Sequence, residues 1–359
     1  MAPTKRVLIY RLGSLGDTVV ALPGFHLVAR AFPEADRRLL TNFPVQAKAP
    51  PAAAILENTG TVHGYLRYSV GTRNPVELLR LWWQIFRWRP EVLVYLGAAR
   101  GVRSARRDAR FFRMCGIRRL VGIPITEDMQ KNRGDADRED LEMEGARLTR
   151  NIGELGDACL DDAASWDLRL TSDENGRAAE ALKPIGERGL IAVSVGTKVQ
   201  SKDWGRDNWR GLLAHVAALY PHHGLAMLGA GGESEASEFA ADGWREVQAK
   251  RSDPAPAINL CGELSPRESA AVLARAEAFL GHDSGPMHMA AAVQTPCVAI
   301  FAARNIPRIW FPYGAHHRVV YHRVECWGCE LETCIVQRKK CLTSITVEEV
   351  VEHVRAVLG

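Results

Sequence analysis

The stretch Gly281-His282-Asp283-Ser284-Gly285-Pro286-Met287-His288 sets an acid, a hydroxyl, two glycines and two imidazoles between an apolar run, Ala276 to Leu280, and a small-residue run, Met289 to Val293. A strand that ends this way before a helix leaves several backbone N–H groups unpaired at the positive end of the helix dipole, where anions bind. Gly285 lets backbone approach a ligand closely. Pro286 suits the first helical position, which has no N–H to lose, and His288 then falls on the first turn beside the same anion. An ordinary capped strand-to-helix junction has the same local sequence, so the rest of the chain has to decide between the two.

Two further strand ends in the second half carry related chemistry. The apolar run Leu190 to Val195 leads into Gly196, Thr197 and then Lys202, a compact point charge suited to phosphate. Leu225 to Leu228 ends in Gly229-Ala-Gly-Gly232, followed by Glu233 and Glu235. Glycines there admit a flat ligand, and a carboxylate can hold ribose or base donors. Solvated loop lysines and acids are the plain alternative. A nucleotide with a pyrophosphate uses a base platform, a ribose acceptor and an oxyanion nest together, so one crevice holding all three strand ends would suit it.

The first half opens on a buried strand, Arg6 to Tyr10, and a tight turn through Gly13, Ser14 and Gly16 to Asp17. The turn resembles half of a dinucleotide fingerprint but lacks the third glycine. Asp17 is either a helix cap or a functional carboxylate at the edge of a first strand, where open α/β sheets place their ligands.

Charge is unevenly spread in a chain of 359 residues with a net charge of +4. Arg100, Arg103, Arg106, Arg107, Arg110, Arg113, Arg118 and Arg119 face the single acid Asp108 across twenty positions, which points to an anionic partner rather than a face laced with i,i+4 pairs. No nucleic-acid reader motif accompanies them, so nucleic acid is not the expected partner. Just upstream, Glu77 to Trp88 is rich in Trp and Arg. Trp82, Trp83 and Trp88 suit a membrane surface, while packing of the Trp and Leu face into a core explains the same pattern.

Eight cysteines are present. Cys326, Cys329, Cys334 and Cys341 have the close spacing of a metal knuckle without a zinc-ribbon pattern, and reduced structural thiols compete with that reading. No apolar run approaches the ~20 residues that span a bilayer, and the start does not read as a signal peptide. A cytoplasmic protein is therefore expected, peripheral on the inner face of the membrane if the Trp-rich helix docks there.

Strand-like and helix-like runs alternate along the chain, as in parallel sheets covered by helices. Strands are expected at 38–41, 92–96, 119–122, 166–170, 190–195, 225–228, 257–260, 278–280 and 296–301. Helices are expected at 18–32, 75–88, 104–115, 139–150, 173–182, 208–220, 266–276 and 347–358. The length suits two domains, placed at 1–175 and 185–345.

With these motifs in hand, the chain resembles glycosyltransferase family 9, the ADP-heptose:lipopolysaccharide heptosyltransferases and their relatives. The resemblance rests on Arg6 to Pro23, Lys202-x-Trp204, Gly281 to Ala292, Thr295-Pro296, Trp310-x-Pro312-Tyr313-Gly314 and the Cys326 to Cys341 cluster. It implies a GT-B architecture, two Rossmann-like domains with parallel sheets facing across a cleft. The first domain would bind the acceptor and the second a nucleotide-diphosphate sugar, with the helix at 346–359 packing back on the first. Asp17 would be the general base of an inverting transfer, and Lys202 would help neutralise the departing diphosphate. The donor would meet Gly196, Thr197, Lys202, Gly232, Glu233, Glu235, Asp283, Ser284, Gly285, Pro286 and His288. An anionic glycolipid or glycan acceptor would meet Gly13, Ser14, Arg100, Arg103 and Arg107. No cofactor is expected, and no catalytic metal, because no Asp-x-Asp diphosphate motif stands at a strand end. The alternatives are a nucleotide-dependent oxidoreductase, against which the missing glycine speaks, and a non-catalytic nucleotide- or glycan-binding protein, against which Asp17, Lys202 and Asp283 speak.

Overall fold

The computed structural model describes residues 4–43, 51–69, 71–135, 137 and 140–359. The chain forms two compact units, Met1–Arg169 and Leu170–Gly359. In the first, strands β1 (Arg6–Tyr10), β2 (Asp36–Asn42), β3 (Gly64–Tyr68), β4 (Val92–Tyr95) and β5 (Arg119–Val121) pair in the order β3-β2-β1-β4-β5, all parallel. Val7 to Tyr10 and all of β4 are buried, as their unbroken apolar sequences require of strands covered on both faces.

The second unit adds β6 (Leu190–Ser194), β7 (Gly224–Met227), β8 (Ala257–Asn259), β9 (Ala278–His282), β10 (Cys297–Phe301) and β11 (Arg318–Tyr321). They pair in parallel in the order β11-β10-β9-β6-β7-β8. Counted from its own first strand, this unit has the doubly wound order 3-2-1-4-5-6, whose direction of winding reverses between β6 and β9. A crevice outside the carboxyl ends of those two strands is the ligand position of such sheets.

Several expected elements change. The helix expected at 18–32 is two, Leu15–Val20 and Leu22–Ala31, because Pro23 has no N–H to continue the ladder. The segment expected as a strand at 166–170 forms none, and the short strands β3 and β11 at the sheet edges went unanticipated. The helix expected at 139–150 runs from Glu144 to Asn151; its anticipated start, Glu139, lies outside the described residues.

The boundary also moves. Helix Ser172–Ala181 belongs to the second unit, where Glu174 takes a two-pronged contact from Arg267, Nε–Oε1 at 2.5 Å and Nη2–Oε2 at 2.9 Å. The final helix, Val347–Leu358, was expected to return to the first domain. It packs on Arg206–Leu219, β10 and β11 of its own unit, burying Val350, Val351 and Val354 in that core.

One buried histidine fastens the β6 loop to β9. His282 Nε2 accepts from the Trp204 N–H at 3.1 Å and from the Trp209 indole N–H at 3.3 Å, so the ring is neutral with its proton on Nδ1. Nδ1 faces the Gly196 carbonyl without a hydrogen bond of good geometry. Trp204 in turn donates to the Ile345 carbonyl and meets Trp209 edge to face. Burial, the largest influence, pulls His282 down to about 4 from 6.5. The unfolded chain therefore takes up this proton at higher pH than the folded one. The associated stability is whole above pH 6.5 and is lost as pH falls from 6.5 to 4, by up to about 1.4 kcal/mol per pH unit. His282→Gln is expected to flatten that window in urea unfolding followed by tryptophan fluorescence. An unchanged acid slope would mean that the ring is already charged in the fold.

Candidate active site

The parallel order brings the ends of β9, β6 and β7 side by side, as the three strand-end motifs require. Beyond β6, the chain makes a short turn at Gln200–Lys202 that returns Lys202 to β9. Its Nζ lies 2.5 Å from Asp283 Oδ2 and 3.2 Å from the Asp283 carbonyl. Asp283 Oδ2 also accepts from Asn305 Nδ2 at 3.1 Å, and its side chain is only 8% exposed. The lysine is thus seated on an acid rather than loose in solvent. Removing it would strand a buried carboxylate at a cost of about 3–5 kcal/mol.

Directly after Asp283, Ser284 caps helix Gly285–Ala292 in extended geometry, and its hydroxyl makes no cap hydrogen bond. The Ser284 Oγ is buried and has no hydrogen-bond partner. Pro286 takes the second helical position rather than the first, leaving the Gly285 and Met287 N–H groups at the helix mouth. His288 is buried one turn in, its N–H bonded to the Ser284 carbonyl at 3.3 Å. A buried hydroxyl without a partner beside the N–H groups of a helix start has the donors that an oxyanion can use, and Lys202 is seated on the preceding residue.

Gly196 is required by what lies over it. A Cβ there would collide with the Glu233 carboxylate, which crosses from the β7 end and accepts from the Ala230 N–H at 2.8 Å. Glu233 therefore binds its own loop and closes over the β6 end. Thr197 Oγ1 points at the Val199 carbonyl at 3.4 Å, and Gly232 is open to solvent. Glu235 stands exposed on the first turn of helix Ser234–Gln248, with no polar contact to the other strand-end residues.

In the first unit, the loop after β1 holds Asp17 in one pose. Ser14 is the helix cap and Asp17 sits three residues on, so Asp17 is not the N-cap itself. Its Oδ2 accepts from the Ser14 N–H at 2.7 Å and the Ser14 hydroxyl at 2.9 Å. Gly13, at φ 136°, leaves no space for a side chain beside it, since a Cβ would stand 2.5 Å from that of Asp17. Oδ1 lies 3.8 Å from Arg11, whose buried guanidinium donates to the Asp17 carbonyl at 2.6 Å and the Leu96 carbonyl at 2.8 Å. The cap and the functional carboxylate are thus compatible: one oxygen holds the turn and the other remains one-third exposed with its residue.

The arginines divide. Arg100 is committed internally, 2.5 Å from Asp108 Oδ2 and within 3.1 Å of the Tyr10 and Tyr95 hydroxyls. Burial, ahead of the Asp108 charge, pushes the Tyr95 phenol up to about 12, so it stays a neutral partner. Arg103 and Arg107 are exposed on helix Val102–Met114, Arg107 with 70% of its side chain in solvent although its Nη2 lies 3.3 Å from Asp108 Oδ1.

The four clustered cysteines are free thiols that line a common pocket with Ser201, Ala303 and Lys339. Burial raises the Cys341 thiol, with Cys326 and Cys334 adding to it. Among the described residues no three His, Cys, Asp or Glu side chains are arranged to hold a metal ion. The cluster's loop braces the Lys202 turn instead: Ser201 donates to the Glu332 and Leu331 carbonyls, Cys334 N–H to Gln200 Oε1, and Lys339 Nζ to the Asp203 carbonyl.

Two site residues escaped the sequence reading. Asn305 follows β10, and only the strand order, β10 beside β9, brings it to Asp283. His282 had a visible signal, an imidazole ending an otherwise apolar strand.

A family model described as glycosyltransferase family 9 (heptosyltransferase) matches residues 158–340. The lipooligosaccharide heptosyltransferase 2 of Campylobacter jejuni is 27% identical over 100 residues, 28% of this chain and 31% of that protein, so the match spans about a third of the curated relative. Among solved structures, a glycosyl transferase family 9 protein from Veillonella parvula superposes with a TM-score of 0.69 at 16% identity, over 100% of this chain and 98% of that one. The ADP-heptose lps heptosyltransferase II of E. coli gives 0.62 at 17% identity, over 98% of each. Identities this low establish the two-sheet α/β fold they share. The family model spans just over half of the chain and includes the Lys202, Asp283 and Ser284 junctions: the chain belongs to glycosyltransferase family 9.

Proposed function

We propose that this protein is an inverting glycosyltransferase that moves heptose from ADP-heptose to a hydroxyl of an anionic lipopolysaccharide-core or related glycan acceptor, in the cytoplasm. The observation that carries the reading is the Ser284 hydroxyl, buried and without a partner at the start of helix Gly285–Ala292. Family membership supports the reaction class, and the names of the Campylobacter and E. coli relatives support heptose and ADP.

In this reading the donor diphosphate takes the place of the missing partner. It accepts from the Ser284 Oγ and the helix N–H groups, with Lys202 and His288 close by in the same unit. Asp283 and Asn305 keep Lys202 in position, so the ammonium is set before the substrate arrives and little reorganisation is needed as charge grows on the leaving group. In the transfer, the acceptor oxygen forms a bond to the anomeric carbon from the face opposite the diphosphate. The bond from that carbon to the diphosphate oxygen breaks, its electron pair leaves with ADP, and the acceptor proton passes to Asp17 Oδ1. The Ser14 donors on Oδ2 orient the carboxylate for this role. Exposed Arg103 and Arg107 serve an acceptor bearing phosphates or carboxylates. The absence of an Asp-x-Asp sequence at a strand end supports a transfer whose leaving-group charge is met by protein donors rather than a metal.

A thermal-shift screen with ADP-, UDP-, GDP- and CMP-sugars is expected to pick out the ADP-sugar, since a ligand that binds only the folded chain raises its midpoint. Ser284→Ala should weaken ADP binding about tenfold or more by calorimetry, the worth of a hydrogen bond to a charged group. It should leave the unliganded midpoint unchanged, because the hydroxyl bonds to nothing in the fold; equal ADP affinity would remove the diphosphate assignment. Asp17→Asn is expected to keep ADP affinity and lose transfer by at least about 100-fold. Persistent transfer would leave Asp17 as a structural residue only.

A further inference from the structure

Helix Pro75–Trp88 carries two apolar stripes. Leu81 and Ile85 are buried in the core of the first unit. Val76, Leu79, Trp83 and Phe86 recur at i, i+3, i+7 and i+10, so at about 100° per residue they share a different side of the helix. They are 62%, 64%, 52% and 40% exposed. A helix whose only task was core packing would carry polar residues there. The rings of Trp83 and Phe86 stack with centroids 6.1 Å apart, and those of Trp82 and Phe86 at 5.2 Å, so the patch is one continuous aromatic surface.

Of the three tryptophans named for a membrane surface, Trp83 is the exposed one. Trp82 is half-buried with its indole N–H given to the Met114 carbonyl at 2.9 Å, and Trp88 gives its own to Asp36 under the Arg38 guanidinium. The Trp82 contact sets the end of helix Val102–Met114 beside the patch, adding Met114, 64% exposed. Arg103, Arg106, Arg110 and Arg113 form an exposed stripe along that second helix, at the same i, i+3, i+7, i+10 spacing, and Arg87 is exposed next to Phe86. Among the described residues none of these five makes a salt bridge. The acids of the two helices are already engaged, Glu77 by Thr72 and the Ser69 N–H, Asp108 by Arg100.

We propose that this face docks on an anionic lipid bilayer, with Leu79, Trp83 and Phe86 entering the boundary between headgroups and acyl chains while Arg87, Arg110 and Arg113 meet lipid phosphates. Aromatic rings with a flanking row of uncompensated arginines are what an amphipathic interfacial surface needs. Charge separates this occupant from a second copy of the chain. A two-fold dimer through the patch would set its own arginine rows near each other, whereas an anionic leaflet complements them. The inference concerns the first unit alone, and its test uses no nucleotide sugar, so it stands or falls independently of the transferase reading.

The test is sedimentation of the full chain with vesicles of phosphatidylcholine containing about 30% phosphatidylglycerol, against phosphatidylcholine alone. Binding to the anionic vesicles and its loss at about 0.5 M NaCl are expected. Each arginine near a charged surface is worth about fivefold, so the double variant Arg110→Glu, Arg113→Glu should bind at least about 25-fold more weakly. Leu79→Ser with Trp83→Ser should lose about tenfold or more. Trp83→Phe keeps the apolar area and controls for folding. It should bind within about twofold of the parent while losing most of the fluorescence quenching by brominated lipid. Equal binding to neutral vesicles, no binding to anionic ones, or undiminished quenching in Trp83→Phe would overturn the proposal. So would a dimer in light scattering that Trp83→Ser abolishes.

Discussion

Lys202 and Asp283 stand 81 positions apart in the chain and 2.5 Å apart at their charged atoms. Their pairing depends on β6 and β9 being neighbours, which the doubly wound order provides at the point where its winding reverses. Much of the second unit then serves to hold that pair. His282 pins the loop after β6 through Trp204, Asn305 arrives from β10 to share the acid, and the cysteine-bearing loop supports the Lys202 turn from behind. A charge pair only 20% and 8% exposed on its two sides costs desolvation, and these added hydrogen bonds are what offset it.

The first unit solves a different problem with the same sheet. Its strand-end loop holds a single carboxylate still: Ser14 takes one oxygen of Asp17, Gly13 gives it clearance, and Arg11 lies buried beneath, spanning the ends of β1 and β4. One arginine of the basic run, Arg100, is held by Asp108 and two tyrosines just before helix Val102–Met114, while the arginines on the helix itself lie in solvent, Arg107 among them with its Nη2 3.3 Å from the other Asp108 oxygen. A run that looks uniform in sequence thus splits into a structural charge and a surface field. The split follows from reach: the one acid of the helix engages Arg100 and, from solvent, Arg107, and cannot serve Arg103, Arg106, Arg110 and Arg113 as well.

How much of this was legible follows from the range of the interactions. The strands β1, β4, β6, β7, β9 and β10 are apolar runs with at most a polar residue at one end, and the helices Pro75–Trp88 and Val347–Leu358 matched their expected spans because local periodicity suffices for them. The edges β3 and β11 are short and half-exposed, so they carry no such run. The assignment of Ser172–Ala181 and of the last helix to the second unit rests on the Glu174–Arg267 pair and on valines packed against β10, contacts between residues about 50 to 90 positions apart that leave no local trace.

The sequence by itself determined two parallel α/β units, the strand-end placement of Asp17, Lys202 and Ser284, and the motifs that mark the family, because each is written in a few consecutive residues whose φ, donors and polarity are local properties. Tertiary structure alone decided that Lys202 is seated on Asp283, that Asn305 and His282 complete the junction, that Ser284 is left without a partner, and that Trp83 rather than Trp82 or Trp88 faces outward. Each of those depends on which strand lies beside which, and on which groups burial removes from water.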